Sequence, residues 1–117
     1  MKTLGRLVFP DRIEYRVKGV LHRDDGPAIE HQDGMKEWFR HGLPHRLDGP
    51  AVEYINGDKE WWANGRLHRD NGPAVEHADG TKKWFCHGIK HRTDGPAVET
   101  ADGYQEWWID GIRRIPI

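Results

Sequence analysis

Residues 45–67 read HRLDGPAVEYINGDKEWWANGRL, and the pattern recurs as residues 22–44, 68–90 and 91–113. His22-Arg23, His45-Arg46, His68-Arg69 and His91-Arg92 each follow the last by 23 residues. A fixed period of this length marks a repeat architecture, in which each unit buries its apolar face only against its neighbours. Ahead of the full units, Glu14-Tyr15-Arg16-Val17-Lys18-Gly19 reads as the second half of one, so a partial unit covers about residues 11–21. The whole of 1–117 is read as a single tandem-repeat domain.

Each unit carries turn chemistry at its centre. Asp33-Gly34, Asn56-Gly57, Asp79-Gly80 and Asp102-Gly103 match the two-residue type I′ hairpin turn, whose central residues both take positive φ. The flanks are strand-like, with Ala-Val-Glu or Ala-Ile-Glu before the turn and an aromatic pair after it. The connection to the next unit runs from Gly42, Gly65 or Gly88 through His-Arg to Pro50, Pro73 or Pro96. Proline there imposes an extended start on the next strand and donates no ladder bond. No helical stripe is long enough to stand. The expected fold is all-β: an antiparallel meander of tandem hairpins, with roughly nine or ten strands.

The turn sets the register. A two-residue turn places Ile29 opposite Trp38, Val52 opposite Trp61, Val75 opposite Trp84 and Val98 opposite Trp107, which are good core pairs. It also sets Glu30 against Glu37 and Glu53 against Glu60. A three-residue turn instead pairs Glu30 with Lys36 and Glu53 with Lys59, at the cost of Ile29 opposite Glu37. Burial of Val and Trp favours the first register.

Units one and three share Glu30-His31 and Glu76-His77 before the turn and Trp38-Phe39 and Trp84-Phe85 after it, whereas units two and four carry Trp61-Trp62 and Trp107-Trp108. Duplication of a pair of units accounts for this super-period.

Hydrophobic residues make up 36% and charged residues 32% of the chain, so an ordinary aliphatic core is not on offer. Six Trp supply the apolar area instead. The net charge of −1 is spread without a basic stripe, which argues against a nucleic-acid partner. No apolar run reaches the length of a membrane span and no signal-peptide core is present. The single Cys86 forms no internal disulfide and fits a reducing compartment; the expected setting is cytoplasmic.

The run Gly-x-x-x-His-Arg…Asp-Gly-Pro-Ala-Val-Glu-x-x-Asp-Gly-x-x-x-Trp-x-x-x-Gly resembles a MORN-type repeat over residues 11–113. It departs from the usual MORN unit in carrying His-Arg-x-Asp and in splitting its turn glycines unevenly. The resemblance implies an elongated, twisted meander with a groove on one face, acting as a scaffold, a dimerisation surface or a peptide or lipid contact. Cofactors are not implied.

Three constellations could carry function. The second aromatics of each pair, Phe39, Trp62, Phe85 and Trp108, form a row that is either a partner surface or a second core layer. Arg23, Arg46, Arg69 and Arg92 lie beside Glu30, Glu53, Glu76 and Glu99, as an anion site or as ion pairs that knit the repeats. His22, His45, His68 and His91 invite a metal reading. In a meander, however, equivalent positions stand two strands apart, roughly 9–10 Å, too far for one ion. The alternative is that each His packs on a Trp or bonds a loop carbonyl. Catalysis has little support: the chain lacks serine, and Cys86 and His87 as strand neighbours would face opposite sides. The expected function is therefore non-catalytic protein interaction or scaffolding, with a protein partner, a second copy of the chain being one candidate. A small-ligand, anion or metal-binding role for the His-Arg ladders is the alternative.

Overall fold

The computed structural model describes residues 4–115, which form strands and turns with no helix. β1 (Leu4–Val8), β2 (Arg12–Val17) and β3 (Val20–Leu21) precede the full units. Unit one gives β4 (Ile29–His31), β5 (Lys36–Glu37), β6 (Phe39–Arg40) and β7 (Leu43–Pro44). Unit two gives β8 (Val52–Glu53), β9 (Lys59–Glu60), β10 (Trp62–Ala63) and β11 (Arg66–Leu67). Unit three gives β12 (Val75–Glu76), β13 (Lys82–Lys83), β14 (Phe85–Cys86) and β15 (Ile89–Lys90). Unit four ends the chain with β16 (Val98–Glu99), β17 (Gln105–Ile109) and β18 (Ile112–Arg114).

The main sheet is antiparallel and runs β1-β2-β4-β5-β8-β9-β12-β13-β16-β17-β18, with β3 paired to β2. It is a meander that advances two strands per unit, in a molecule of 55 × 29 × 18 Å. The 18 strands exceed the nine or ten expected because each internal unit holds two hairpins. The second, lateral hairpins are β6-β7, β10-β11 and β14-β15.

The turn assignment is corrected by the backbone. At the centre of unit one, Gly34 N–H donates to His31 O (3.0 Å) and His31 N–H to Met35 O (2.9 Å). Gly34 takes positive φ (102°), whereas Asp33 is absent from the positive-φ residues. This is a three-residue loop, a type I turn closed by a glycine bulge, and not a type I′ turn. The Asp33 carboxylate stabilises it by accepting Met35 N–H at 2.9 Å, and Asn56 and Asp79 do the same for Asp58 and Thr81.

The register follows. Ile29 faces Glu37, Val52 faces Glu60, Val75 faces Lys83 and Val98 faces Glu106, so the Val–Trp pairing is overturned. The gain lies on the neighbouring rung. Glu30 pairs with Lys36, Lys36 with Glu53, Glu53 with Lys59, Lys59 with Glu76, Glu76 with Lys82 and Lys82 with Glu99. Charges alternate along the sheet, and the Glu–Glu clashes of the two-residue register do not arise.

The tryptophan after each charged pair is a hinge. Trp38 N–H donates to Ala51 O in the next unit, and Trp38 O accepts from His45 N–H. The chain thus leaves the main sheet after Trp38 and turns back through His41-Gly42. Both residues there have positive φ (51° and 79°), as do Asn64-Gly65, His87-Gly88 and Asp110-Gly111. The type I′ turns are here, at the end of each unit. In unit four the strand is unbroken, and β17 runs straight through Trp107 and Trp108.

The core is thin. Ala28, Ala51, Ala74 and Ala97 are wholly buried, with Ile29, Val52, Val75 and Val98 close behind. Among the described residues no large side chain is fully buried. The aromatics close the layer from above while keeping one face toward solvent.

Candidate functional site

The Arg ladder is built into the fold. Arg46 lies 3.9 Å over the Trp38 ring, and a Cβ at Gly49 would come 2.9 Å from its Cζ. The guanidinium is therefore sandwiched between an indole and a glycine that cannot carry a side chain. Arg46 Nη1 donates to Pro50 O and to Glu53, both at 3.0 Å, and Nε to Asp48 at 3.1 Å. Arg23, Arg69 and Arg92 stack in the same way on Tyr15, Trp61 and Trp84 at 3.8–3.9 Å. All four also donate to a proline carbonyl, of Pro27, Pro50, Pro73 or Pro96. Stacking plus charge-assisted bonds makes this a joint between units, one that lysine could not reproduce.

The His ladder is a second joint. His22 Nδ1 accepts His41 N–H at 3.0 Å, across a lag of 19 residues. His45, His68 and His91 accept Asn64, His87 and Asp110 N–H in the same manner, at 2.9–3.0 Å. Each imidazole thus holds the first left-handed residue of the next lateral turn. The expected loop-carbonyl bond is reversed: the ring accepts a backbone N–H. The proton of each neutral ring consequently sits on Nε2. Alongside, Gly42, Gly65, Gly88 and Gly111 N–H groups donate to Leu21, Pro44, Leu67 and Lys90 carbonyls at 2.8–2.9 Å.

What Nε2 meets differs between units. In units one and three it donates to the aspartate two residues on: His22 to Asp24 and His68 to Asp70, both at 2.8 Å. In unit two that place is taken by Leu47, which is 86% exposed. His45 Nε2 is buried with no hydrogen-bond partner. Burial, and secondarily the charge of Arg40, push the His45 pKa below the ordinary histidine value. His45 lines an open groove of about 860 Å³ together with Arg23, Asp24, Phe39, Arg40 and Leu47 among others. In unit four, Thr93 follows His91.

The aromatic row is half-buried. Phe39 lines the unit-two groove, and Phe85 lines its counterpart between Asp70 and Asp94. Trp62 and Trp108 turn their indole N–H groups to Glu60 (2.9 Å) and Glu106 (2.8 Å). The bond from Trp108, and after it one from Tyr104, holds the Glu106 carboxyl below its usual range.

Cys86 and His87 do not face opposite sides. The left-handed turn at His87 (φ 49°) brings its ring, the Cys86 thiol and His68 within 4.8 Å of one another. Three ligands of two types, two imidazoles and a thiolate, are in reach of a soft divalent ion. Both His68 nitrogens, however, are already bonded, to His87 N–H and to Asp70, and its ring stacks on His87 at 4.2 Å. A metal would have to break these contacts.

A further joint ties the turn tips. Asp58 accepts Ala78 N–H at 2.7 Å and meets His77 at 3.2 Å, and its carboxyl is held below the usual range, chiefly by the Ala78 bond.

The residues passed over in the sequence are Asp24, Leu47, Asp70 and Thr93. Their alternation was visible in the aligned units, but its meaning needs the fold, since nothing in the spacing says that a side chain two residues on curls back to its histidine. No family model, no curated protein and no solved structure matches this chain.

Proposed function

We propose that the chain is a non-catalytic protein-interaction or scaffolding module built from MORN-like repeats. The observation that carries this reading is the open sheet, 55 Å in its longest extent, with a half-buried aromatic at the same place in every unit: Phe39, Trp62, Phe85 and Trp108. Aromatics set periodically beside open grooves suit an extended partner. The Arg and His ladders are taken up in holding units together, which leaves few groups poised for chemistry. The terminal strands add free edges: Leu7 and Val8 of β1 are 44% and 64% exposed, and Ile112 of β18 is 58% exposed. A second copy of the chain is therefore the first partner to test. No helix is long and apolar enough to cross a membrane, and the single thiol of Cys86 suits a reducing, cytoplasmic setting.

The test is the double variant Trp62→Gln/Phe85→Gln, followed by sedimentation and thermal melting. Association should be lost with only a small change in melting temperature. Unfolding of the variant would assign the row to a core layer, and a strictly monomeric wild type at high concentration would remove self-association. The alternative, ligand binding by the ladders, finds support at one place, the unpartnered His45.

A further inference from the structure

Three units of this protein show what a histidine at this position does with Nδ1, and two of them show what it does with Nε2. His22 is only 3% exposed, yet Asp24, 74% exposed at its side chain, reaches its Nε2 from the surface. His68 and Asp70 repeat the arrangement. His45 has the same Nδ1 bond, to Asn64 N–H, and so the same Nε2 proton. It is 9% exposed, and Nε2 meets no acceptor. A buried donor left unsatisfied carries its desolvation cost with no compensating bond, so the site favours an acceptor.

The groove around His45 differs from its counterpart around His91 at three lining positions: Asp25 for Asn71, Arg40 for Cys86 and Leu47 for Thr93. Leu47 stands where units one and three carry the aspartate that meets the histidine, and Arg40 where units two, three and four carry Ala63, Cys86 and Ile109. His45 has thus lost its own carboxylate partner and gained a nearby cation, while the groove's remaining carboxylates, Asp24, Asp25 and Asp48, are held by His22, Arg23 and Arg46. Arg40 is exposed and close enough for its charge to act on His45. The other two arginines of the groove, Arg23 and Arg46, are occupied by Pro27 and Asp25 and by Pro50, Asp48 and Glu53. Leu47 and Phe39 add apolar surface. Since Leu47 and Arg40 are both exposed, widening the rim disturbs no core packing.

We propose that unit two is a carboxylate-binding site, in which an external carboxylate takes the position that Asp24 and Asp70 occupy in units one and three. One oxygen accepts from His45 Nε2–H and the other faces Arg40, while the group bearing the carboxylate lies against Phe39 and Leu47. The ligand class is a monocarboxylate, either a small free acid or the C-terminal carboxylate of a peptide. The site shares Phe39 with the partner surface proposed above, but its test is separable from that one, because it changes neither Trp62 nor Phe85.

The experiment follows the four histidine rings by NMR while sodium acetate is titrated at neutral pH, with sodium chloride at matched ionic strength as control. His45 should shift saturably, with millimolar affinity, while His22 and His68 stay still because Asp24 and Asp70 fill their sites. N-acetylglycine is the second probe. Tighter binding than acetate by tenfold or more identifies a peptide terminus, and equal binding identifies a free acid. Two variants fix the location. L47D should abolish the His45 response and raise the melting temperature by a few degrees, and Asp24→Ala should make His22 acetate-sensitive. The proposal is overturned if His45 responds to acetate no more than to chloride, or if L47D responds as the wild type does. Should L47D fail to fold, the Asp24→Ala response decides, and its absence counts against the site.

Discussion

The main sheet and the row of lateral hairpins join the same units by different chemistry. In the main sheet the joint is made by side chains: alternating Glu and Lys on one rung, and Arg46 pressed between Trp38 and Gly49. In the lateral row it is made by backbone groups, with a turn glycine N–H donating to the previous hairpin and a turn N–H held by an imidazole. Even the turns differ. Asp33-Gly34 needs positive φ once, whereas His41-Gly42 needs it twice. The lesson is that two x-Gly pairs only eight residues apart in a unit do different work, and only the second forms the tight hairpin that its residue type suggests for both. One joint answers to stacking and charge, the other to backbone geometry and the neutrality of histidine.

The largest effect should come from removing a stacking platform. Trp61→Ala takes away the ring beneath Arg69 and opens the layer over the alanine core, and should cost about 3–5 kcal/mol in a urea melt. A loss below 1 kcal/mol would mean that the stack is ornament to the main-sheet joint. Next comes the contrast between turns. His41→Val forces a β-branched residue to φ 51° and should cost about 1–2 kcal/mol of backbone strain. Asp33→Val gives up only the bond to Met35 N–H, about 1 kcal/mol. Equal losses in the two variants would erase the distinction.

Acid should separate the joints. The folded state resists protonation of His45, whose pKa is lowered by burial and then by Arg40. The unfolded chain takes up that proton near pH 6.5. The stability due to neutral His45 is therefore complete above that pH and declines as pH falls toward the folded pKa. Glu14, held low first by Arg12, and Glu106, held low first by Trp108, protect the fold until pH drops below their ordinary range near 4.5. Stability measured from pH 7.5 to 3.5 should fall in two stages, with His45 responsible for the first. Unchanged stability between pH 7.5 and 5.5 would refute the contribution of neutral His45. The smallest effect belongs to the charge rung: Lys59→Glu places three like charges on Glu53, residue 59 and Glu76, and should cost about 0.2–1 kcal/mol, less in high salt.

Much of this molecule could be read from its residues. The period of 23, the all-β class, the hairpin at each central Gly and the non-helical connection through Pro50 all follow from local rules. The register did not. Weighing Val52 against Trp61 favoured the wrong alternative, because that argument priced one pair of strands by itself. Lys36 stands between Glu30 and Glu53 on its rung, so in the observed register it has an opposite charge opposite it on both sides.

The arginine and aromatic positions were legible as ladders, but what they touch was not. Arg46 meets Trp38 of the unit before, and His45 meets Asn64, 19 residues ahead in its own unit. Period and turn positions follow from local rules, where sequence distance and spatial distance agree, and these the sequence determined by itself. The charge alternation, the hinge at Trp38, the imidazole that braces a turn 19 residues ahead and the unpartnered Nε2 of His45 were decided only by the tertiary structure. Each of these brings together groups distant along the chain, whose partnership no local preference encodes.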